Sequence, residues 1–310
     1  MQTASTFRAR QDGNPDSSPA RQAGTLPLLS ISIVTHQVEP QDFAAALASL
    51  ATAIDGLVET REAQAFPEIS LGIVDNGGQR ELLQGILEQG EKTGSIPVPA
   101  RLVCGQGNIG YGRAHNLLID DSHARYHLIL NPDVLLDAEA LVRGIRYLEA
   151  NPAVVAVAPA ATDAQQQPHY LCKRYPSVLT LLLRGFAGAW LQKCFHKRLD
   201  AYVMKDLLDA HRAHSADADA LLDVPLLSGC FMLCRTAALH AVGGFDAKYF
   251  LYFEDFALSL TLRRHGELAW LPGMKIQHFG GNSAGKGLRH ILYFMHSGIR
   301  FFNSHGWKWL

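Results

Sequence analysis

This 310-residue chain is short of charge: Asp, Glu, Lys and Arg make up 18% of it, below the ~25% usual for soluble domains. The little charge is balanced, with 28 Lys and Arg against 29 Asp and Glu. No basic excess is available to neutralise phosphates, which argues against a nucleic-acid binder. Glycine and proline stand near average usage, which excludes a collagenous or low-complexity chain. No apolar run reaches the ~18 residues that span a bilayer. The five cysteines (Cys104, Cys172, Cys194, Cys230 and Cys234) form no C-x-x-C pair, and Cys230 and Cys234, four apart in an apolar run, read as buried small hydrophobes rather than a metal site. Residues 1–27 are polar, lack the apolar core of a signal peptide and read as a disordered tail. These absences point to a cytoplasmic globular protein with ample core, since 48% of the chain is hydrophobic.

What is present first is a rhythm. Leu28–Thr35 is a β-branched strand, followed by an alanine- and leucine-rich helix from Gln41. Ile69–Val74 is a second strand, stopped by Asp75-Asn76-Gly77-Gly78. A helix over 81–91, a strand over 100–104, a helix over 112–121 and a strand over 127–130 follow, the last ended by Asn131-Pro132. A helix over 138–150 and a strand over 154–158 complete five alternations, which predict an α/β domain with a largely parallel sheet. Beyond Pro159 come strands over 229–235 and 268–271 and helices over 254–265 and 288–303.

Gly105-Gln106-Gly107-Asn108-Ile109-Gly110 matches the G-x-G-x-x-G dinucleotide fingerprint, with Asp133 roughly where a ribose-binding acid would fall. That reading gives an NAD-dependent oxidoreductase. Against it, two strand–helix units precede the motif, whereas the fingerprint opens the first. Polar residues also stand at four successive strand ends, where open α/β sheets bind ligands. They are Thr35, Asp75-Asn76, Gly107–Gly112 and Asn131-Pro132-Asp133. Such a rim suits a nucleotide. One presented aspartate beside a diphosphate suffices for Mg²⁺ or Mn²⁺, whose shell phosphate oxygens and water complete. Any one of these residues alone reads equally as a turn cap.

Taken in order, these motifs resemble the family 2 glycosyltransferases. The first half carries Ser32-Ile33-Val34-Thr35, Ile73-Val74-Asp75-Asn76, Asn108–Gly112 with Asn116, and Leu130-Asn131-Pro132-Asp133. The second half carries Ser228-Gly229-Cys230, Gly243-Gly244-Phe245-Asp246, Tyr252-Phe253-Glu254-Asp255 and His278 with Gly280 and Ser283. Within that family the chain looks most like bacterial rhamnosyltransferases of surface polysaccharides. The resemblance implies a GT-A fold with a Rossmann-like, mostly parallel sheet flanked by helices. It implies inverting transfer of a sugar, L-rhamnose from dTDP-rhamnose, to a growing polysaccharide or lipid-linked glycan. Another hexose from a UDP donor is the alternative within the class, and a non-catalytic sugar-binding module is one outside it. By position, Asp255 would be the catalytic base, with Glu254 as alternative. Thr35, Asp75, Asn76, Asn108, Gly110, Arg113, Asn116, Asn131 and Asp133 would line the donor site. Gly229 and Tyr252 would face the acceptor, and Asp133 with His278 would hold a divalent metal. The pattern departs at Asn131, where the family often has a second acid. Residues 28–160 would form the nucleotide-sugar half, 161–287 the acceptor and catalytic half, and 288–310 a C-terminal amphipathic helix.

The reaction needs a carboxylate to take the acceptor's proton and positive charge for the departing diphosphate. Arg113, Lys286 and Arg289 are candidate counter-charges, though each reads equally as a solvated cation. Asp246 reads as a turn former. The thirteen histidines other than His278, the His211/His214 pair included, read as surface residues. Two stretches, 178–199 and 288–310, are apolar, basic and aromatic. They suit an interfacial helix on the cytoplasmic face of an inner membrane, core packing or a homodimer contact.

Overall fold

Aliphatic residues alternate with serine along β1 (Leu29–Thr35). That period sends Ile31 and Ile33 to one face of the sheet and Ser30 and Ser32 to the other. The computed structural model describes residues 26–60, 68–96, 98–214, 220–279 and 287–310. Positions 1–25 of the expected tail, and Gly280, Ser283 and Lys286, lie outside them.

After β1 come α1 (Pro40–Val58), β2 (Ile69–Asp75), α2 (Arg80–Thr93), β3 (Ala100–Val103), α3 (Tyr111–Ile119) and β4 (Tyr126–Leu130). Then follow β5 (Val134–Leu136), α4 (Ala140–Ala150), β6 (Val154–Thr162) and β7 (Pro168–His169). Four helices come next: α5 (Val178–Phe186), α6 (Ala189–Cys194), α7 (His196–Tyr202) and α8 (Lys205–His214). The chain continues through β8 (Phe231–Arg235), α9 (Thr236–Val242), α10 (Glu254–Leu262), β9 (Glu267–His278) and α11 (Leu288–His305). The described strands form one sheet in the order β3-β2-β1-β4-β8-β6-β9-β5, with β7 on β6.

The strands β3, β2, β1 and β4 are mutually parallel, as the alternation predicts. Beyond β4 the sheet is mixed. β8 inserts antiparallel between β4 and β6, so the fifth predicted strand does not neighbour the fourth. Both faces are covered, which is why β4 reads as a near-continuous apolar run. Leu128 and Leu130 join the core under α1, α2 and α4. Ile129 points to the other face and joins a second core with residues of α3, α8, α9 and α10.

Several features were not legible, β7 and α9 among them. β5 is only three residues long, too short for a periodicity to register. It pairs antiparallel with β9, with Val134 opposite His278. His115 and His127, read as surface residues, are instead fully buried. Ser30, Ser32 and Ser122 receive them: Ser30 Oγ lies 2.6 Å from His127 Nδ1 and 2.6 Å from Ser122 Oγ. Ser32 Oγ lies 2.8 Å from His127 Nε2 and 2.7 Å from His115 Nδ1. His127, with both ring nitrogens partnered, is satisfied in the core, whereas His115 Nε2 is buried without a hydrogen bond; only the strand pairing brings the serines to His127. The expected burial of Cys230 and Cys234 is found; Cys172 is buried too, Cys104 is half-buried, Cys194 is exposed, and all five are free thiols.

Candidate active site

The strand-end residues gather at one edge of the sheet, but not all in the same way. Asp75, buried at the end of β2, turns Oδ1 back to accept from the N–H groups of Gly77 (2.9 Å) and Gly78 (2.8 Å). Asn76 donates from Nδ2 to Gly110 O at 3.0 Å, tying the second strand end to the third. Gln106 Nε2 donates to Asp75 O at 2.8 Å. Thr35 is buried and donates to Val74 O. Asn108 Oδ1 accepts from Gly110 N–H at 3.0 Å, closing the loop before α3.

Asn116 and Arg113 serve contacts within the protein. Both ends of the Asn116 amide reach Phe245, donating to its carbonyl (2.8 Å) and accepting from its N–H (2.9 Å). Arg113 Nε donates to Ala247 O at 2.6 Å. Asp246 caps its own turn by accepting from Lys248 N–H, and Arg289 Nε donates to the Tyr293 hydroxyl. Asn116 and Arg113 thus hold the 243–250 segment against α3.

Gly110 shows why that approach is possible. It has φ +93°, and a Cβ there would lie 2.5 Å from Phe250 O. The adjoining Tyr111 N–H donates to that same carbonyl at 3.0 Å. The third glycine of the fingerprint therefore admits a protein loop, and it follows β3, the edge strand, not the first strand. The dinucleotide reading loses its support.

Tyr111, which the sequence reading did not single out, sits at the crossing of the two halves. Its hydroxyl lies 2.6 Å from Gly229 O and 2.9 Å from Asn131 Oδ1. Gly229 N–H in turn donates to Asp255 Oδ2 at 3.0 Å. Asp255 Oδ1 accepts from Phe256 N–H at 2.9 Å. Asn131, Tyr111, Gly229 and Asp255 thus form one chain from the end of β4 to the start of α10. Burial, and then the negative charges around it, push the Tyr111 phenol well above its usual pKa, so it stays neutral.

The adjacent carboxyls differ. Glu254 is buried and its Oε2 has no protein partner. Burial, and then Asp255 beside it, push Glu254 far above the usual carboxylate range. Burial also raises Asp255, but its backbone N–H partners and the cation of Lys173 pull back towards the ionised form. Lys173 is itself buried, donates Nζ to Tyr170 O, and is lowered to about 7, chiefly by burial.

The segment leading into α10 is strained. Tyr252 (φ +69°) and Phe253 (φ +64°) are both left-handed without being glycine, a conformation costing about 1–3 kcal/mol each. α11 holds them: Ser297 Oγ donates to Leu251 O at 2.8 Å, and the Tyr252 hydroxyl lies 2.9 Å from His290 Nδ1. Phe253 packs in an aromatic cluster with Phe294 and Phe301.

Asp133 and His278 do come together. The β5–β9 register sets His278 beside the turn holding Asp133, with Nε2 3.4 Å from Asp133 Oδ1. The His169 ring stacks on His278 at 5.2 Å, and burial lowers His169 to about 4. No group of three or more His, Cys, Asp or Glu suited to a metal ion occurs among the described residues.

Solved structures of similar architecture are GT-A glycosyltransferases. GalNAc-T7 with UDP, GalNAc and Mn²⁺ matches with a TM-score of 0.59 at 10% identity, over 90% of this chain and 48% of that one. This chain thus spans about half the length of that structure. The S. aureus TarS 1–349 structure matches with a TM-score of 0.51 at 13% identity, over 81% of this chain and 60% of that one. The protein has the GT-A fold.

Its sequence relatives agree with that assignment. An N-acetylglucosaminyl-diphospho-decaprenol L-rhamnosyltransferase of Mycobacterium tuberculosis is 25% identical over 236 residues, 70% of this chain and 69% of the relative. The rhamnosyltransferase WbbL of Escherichia coli K12 is 23% identical over 212 residues, 66% of this chain and 67% of the relative. No protein-family model matches the chain. The GT-A sheet edge is where the predicted donor residues collect, and the Tyr111–Gly229 bridge is where they meet Asp255. Tyr111, Lys173 and His169 carried no local signal, because each acquires its surroundings from segments remote in sequence.

Proposed function

We propose that the protein is an inverting glycosyltransferase carrying L-rhamnose from dTDP-rhamnose to a glycan on a lipid diphosphate. The observation that carries this reading is the hydrogen-bonded chain from Asn131 through Tyr111 and Gly229 to Asp255. It ties an ionisable carboxylate to the strand end where a diphosphate would rest. Asp255 takes the proton of the acceptor hydroxyl as that oxygen attacks the anomeric carbon opposite the leaving diphosphate. The Gly229 N–H holds Oδ2 in place for that transfer. Glu254, buried and protonated, supports the site without acting as the base. Asp75 and Asn76, with the loop ending at Gly110, form the wall for base and ribose, and Tyr252 faces the acceptor.

Asp133 and His278 fit a divalent cation. A carboxylate oxygen and an imidazole nitrogen face each other at 3.4 Å, and His278 Nε2 is buried with no hydrogen bond of its own. An oxygen–nitrogen pair of this kind favours Mn²⁺ over the all-oxygen preference of Mg²⁺. When bound, the cation would supply positive charge to the departing diphosphate. The sugar rests on the relatives, both rhamnosyltransferases, one with a diphospho-decaprenol acceptor in its name, and the base on the family resemblance in the sequence.

The test is transfer from dTDP-rhamnose and from UDP-hexoses to a lipid diphosphate N-acetylglucosamine acceptor, read by mass spectrometry. dTDP-rhamnose is expected to be consumed, and Asp255→Asn to lose transfer by about 10²–10⁴-fold while still binding donor. Consumption of a UDP-hexose alone would replace the donor assignment. Undiminished transfer by the Asn variant would remove Asp255 as the base.

A further inference from the structure

α11 has two faces of different character. Its inner face, through His290, Phe294, Ser297 and Phe301, holds the strained segment that enters α10. Its outer face presents Leu288, Ile291, Leu292, Met295 and Ile299 to solvent, Leu288 being 80% exposed. These positions recur every three or four residues and so form one stripe. A helix that faces only water carries charge on such a stripe; this one is aliphatic.

The helix and the sequence on either side of it carry charge of one sign. Between residue 268 and the end of the chain there is no Asp or Glu, while Lys275, Arg289, Arg300 and Lys308 are present. The stretch that adjoins it is alike. Val178 and Leu179 at the start of α5 donate backbone N–H groups to the carbonyls of Lys308 and Trp309. Residues 164–199 likewise contain no acid, and Trp190 on α6 is 77% exposed. Trp307 and Trp309 stack on each other at 5.0 Å beside the end of α11. Aliphatic stripe, flanking cations and exposed tryptophans are the three parts of a helix lying in a bilayer interface. A second copy of the chain is the poorer occupant. In a two-fold contact each surface meets itself, and these two acid-free stretches would meet their own cations.

We propose that the outer face of α11, with the adjoining tryptophan-bearing tail and α6, docks on a bilayer of anionic phospholipid. The inference deepens the proposed function, since docking there would bring Tyr252 and Asp255 to a lipid-linked acceptor. No helix among the described residues is long and apolar enough to cross a membrane, so the contact is lateral.

The test is co-sedimentation of the full chain with vesicles of phosphatidylglycerol and phosphatidylethanolamine in equal parts, set against phosphatidylcholine alone. Sedimentation with the anionic vesicles is expected. The exposed double substitution Leu292→Glu with Met295→Glu is expected to weaken it by about tenfold or more. The same variant should keep its transfer rate on a short water-soluble acceptor, which also reports that it folds. Failure to sediment, equal sedimentation of the variant, or a concentration-dependent dimer dissolved by the same substitutions would each overturn the proposal. Binding is read without donor or acceptor. Its failure therefore leaves transfer standing, whereas absence of transfer removes the proposed function alone.

Discussion

Asp255 and Glu254 are neighbours in sequence with different surroundings. Glu254 turns into the protein, and Asp255 is held by two backbone N–H groups. Because burial raises Asp255, the ionised carboxylate proposed as the base is lost at a higher pH than an ordinary carboxylate would lose it. The ascending limb of the pH–rate profile is therefore expected above the usual value of about 4. Lys173→Met should move the limb to higher pH, since the lysine's charge opposes that rise. Initial rates from pH 4 to 9 check both, and a limb at the ordinary carboxylate value would contradict the burial argument. The acid pair was legible as a candidate because two adjacent carboxylates open a helix. Which of them is held towards the ionised form was not, since Gly229 and Lys173 are remote in the chain.

At the scale of elements, the loop before α3 and the 243–253 segment are built to touch. Gly110→Ala is expected to destabilise by about 1–2 kcal/mol from its left-handed φ, and its Cβ would also press on Phe250 O. Gly105→Ala has a similar φ of +97° but meets nothing within 4 Å. Thermal unfolding should therefore fall in both, while transfer falls sharply only for Gly110→Ala, through displacement of the Phe250–Asp255 segment. Equal loss of transfer in the two would show that the contact does not matter. The glycines were visible as a motif, yet their pattern alone favoured a pyrophosphate. The strands β1 to β4 were legible because apolar residues crowd them. The place of β8 was not, because pairing with β4 depends on which apolar strand arrives beside it.

For the whole molecule, the buried serine–histidine network sets a limit on acid stability. Burial first, and then His240, hold His127 at about 3, and burial with His127 lowers His115 too. In the unfolded chain histidine titrates near 6.5. Unfolding thus takes up protons below that pH, so the stabilisation is complete above about 6.5 and lost as pH falls towards about 3. For His127 alone this reaches on the order of 5 kcal/mol at the acid end. Urea unfolding midpoints at pH 7 and pH 4.5 check it. A stability that does not fall between them would mean that the histidines are not buried neutral.

The sequence by itself determined the alternation of strands and helices up to residue 158, β5 excepted, the polar residues at four strand ends and the aromatic approach to Glu254-Asp255. Periods of 2 and 3.6 residues and turn chemistry are local, and the polar groups follow where the strands stop. Only the tertiary structure decided that Tyr111 joins Asn131 to Gly229, that His278 faces Asp133, and that α11 supports the 251–253 segment with one face and exposes the other. These depend on hydrogen bonds and strand registers between residues more than 100 positions apart. No local pattern encodes such contacts, because they exist only once both faces of the sheet are covered.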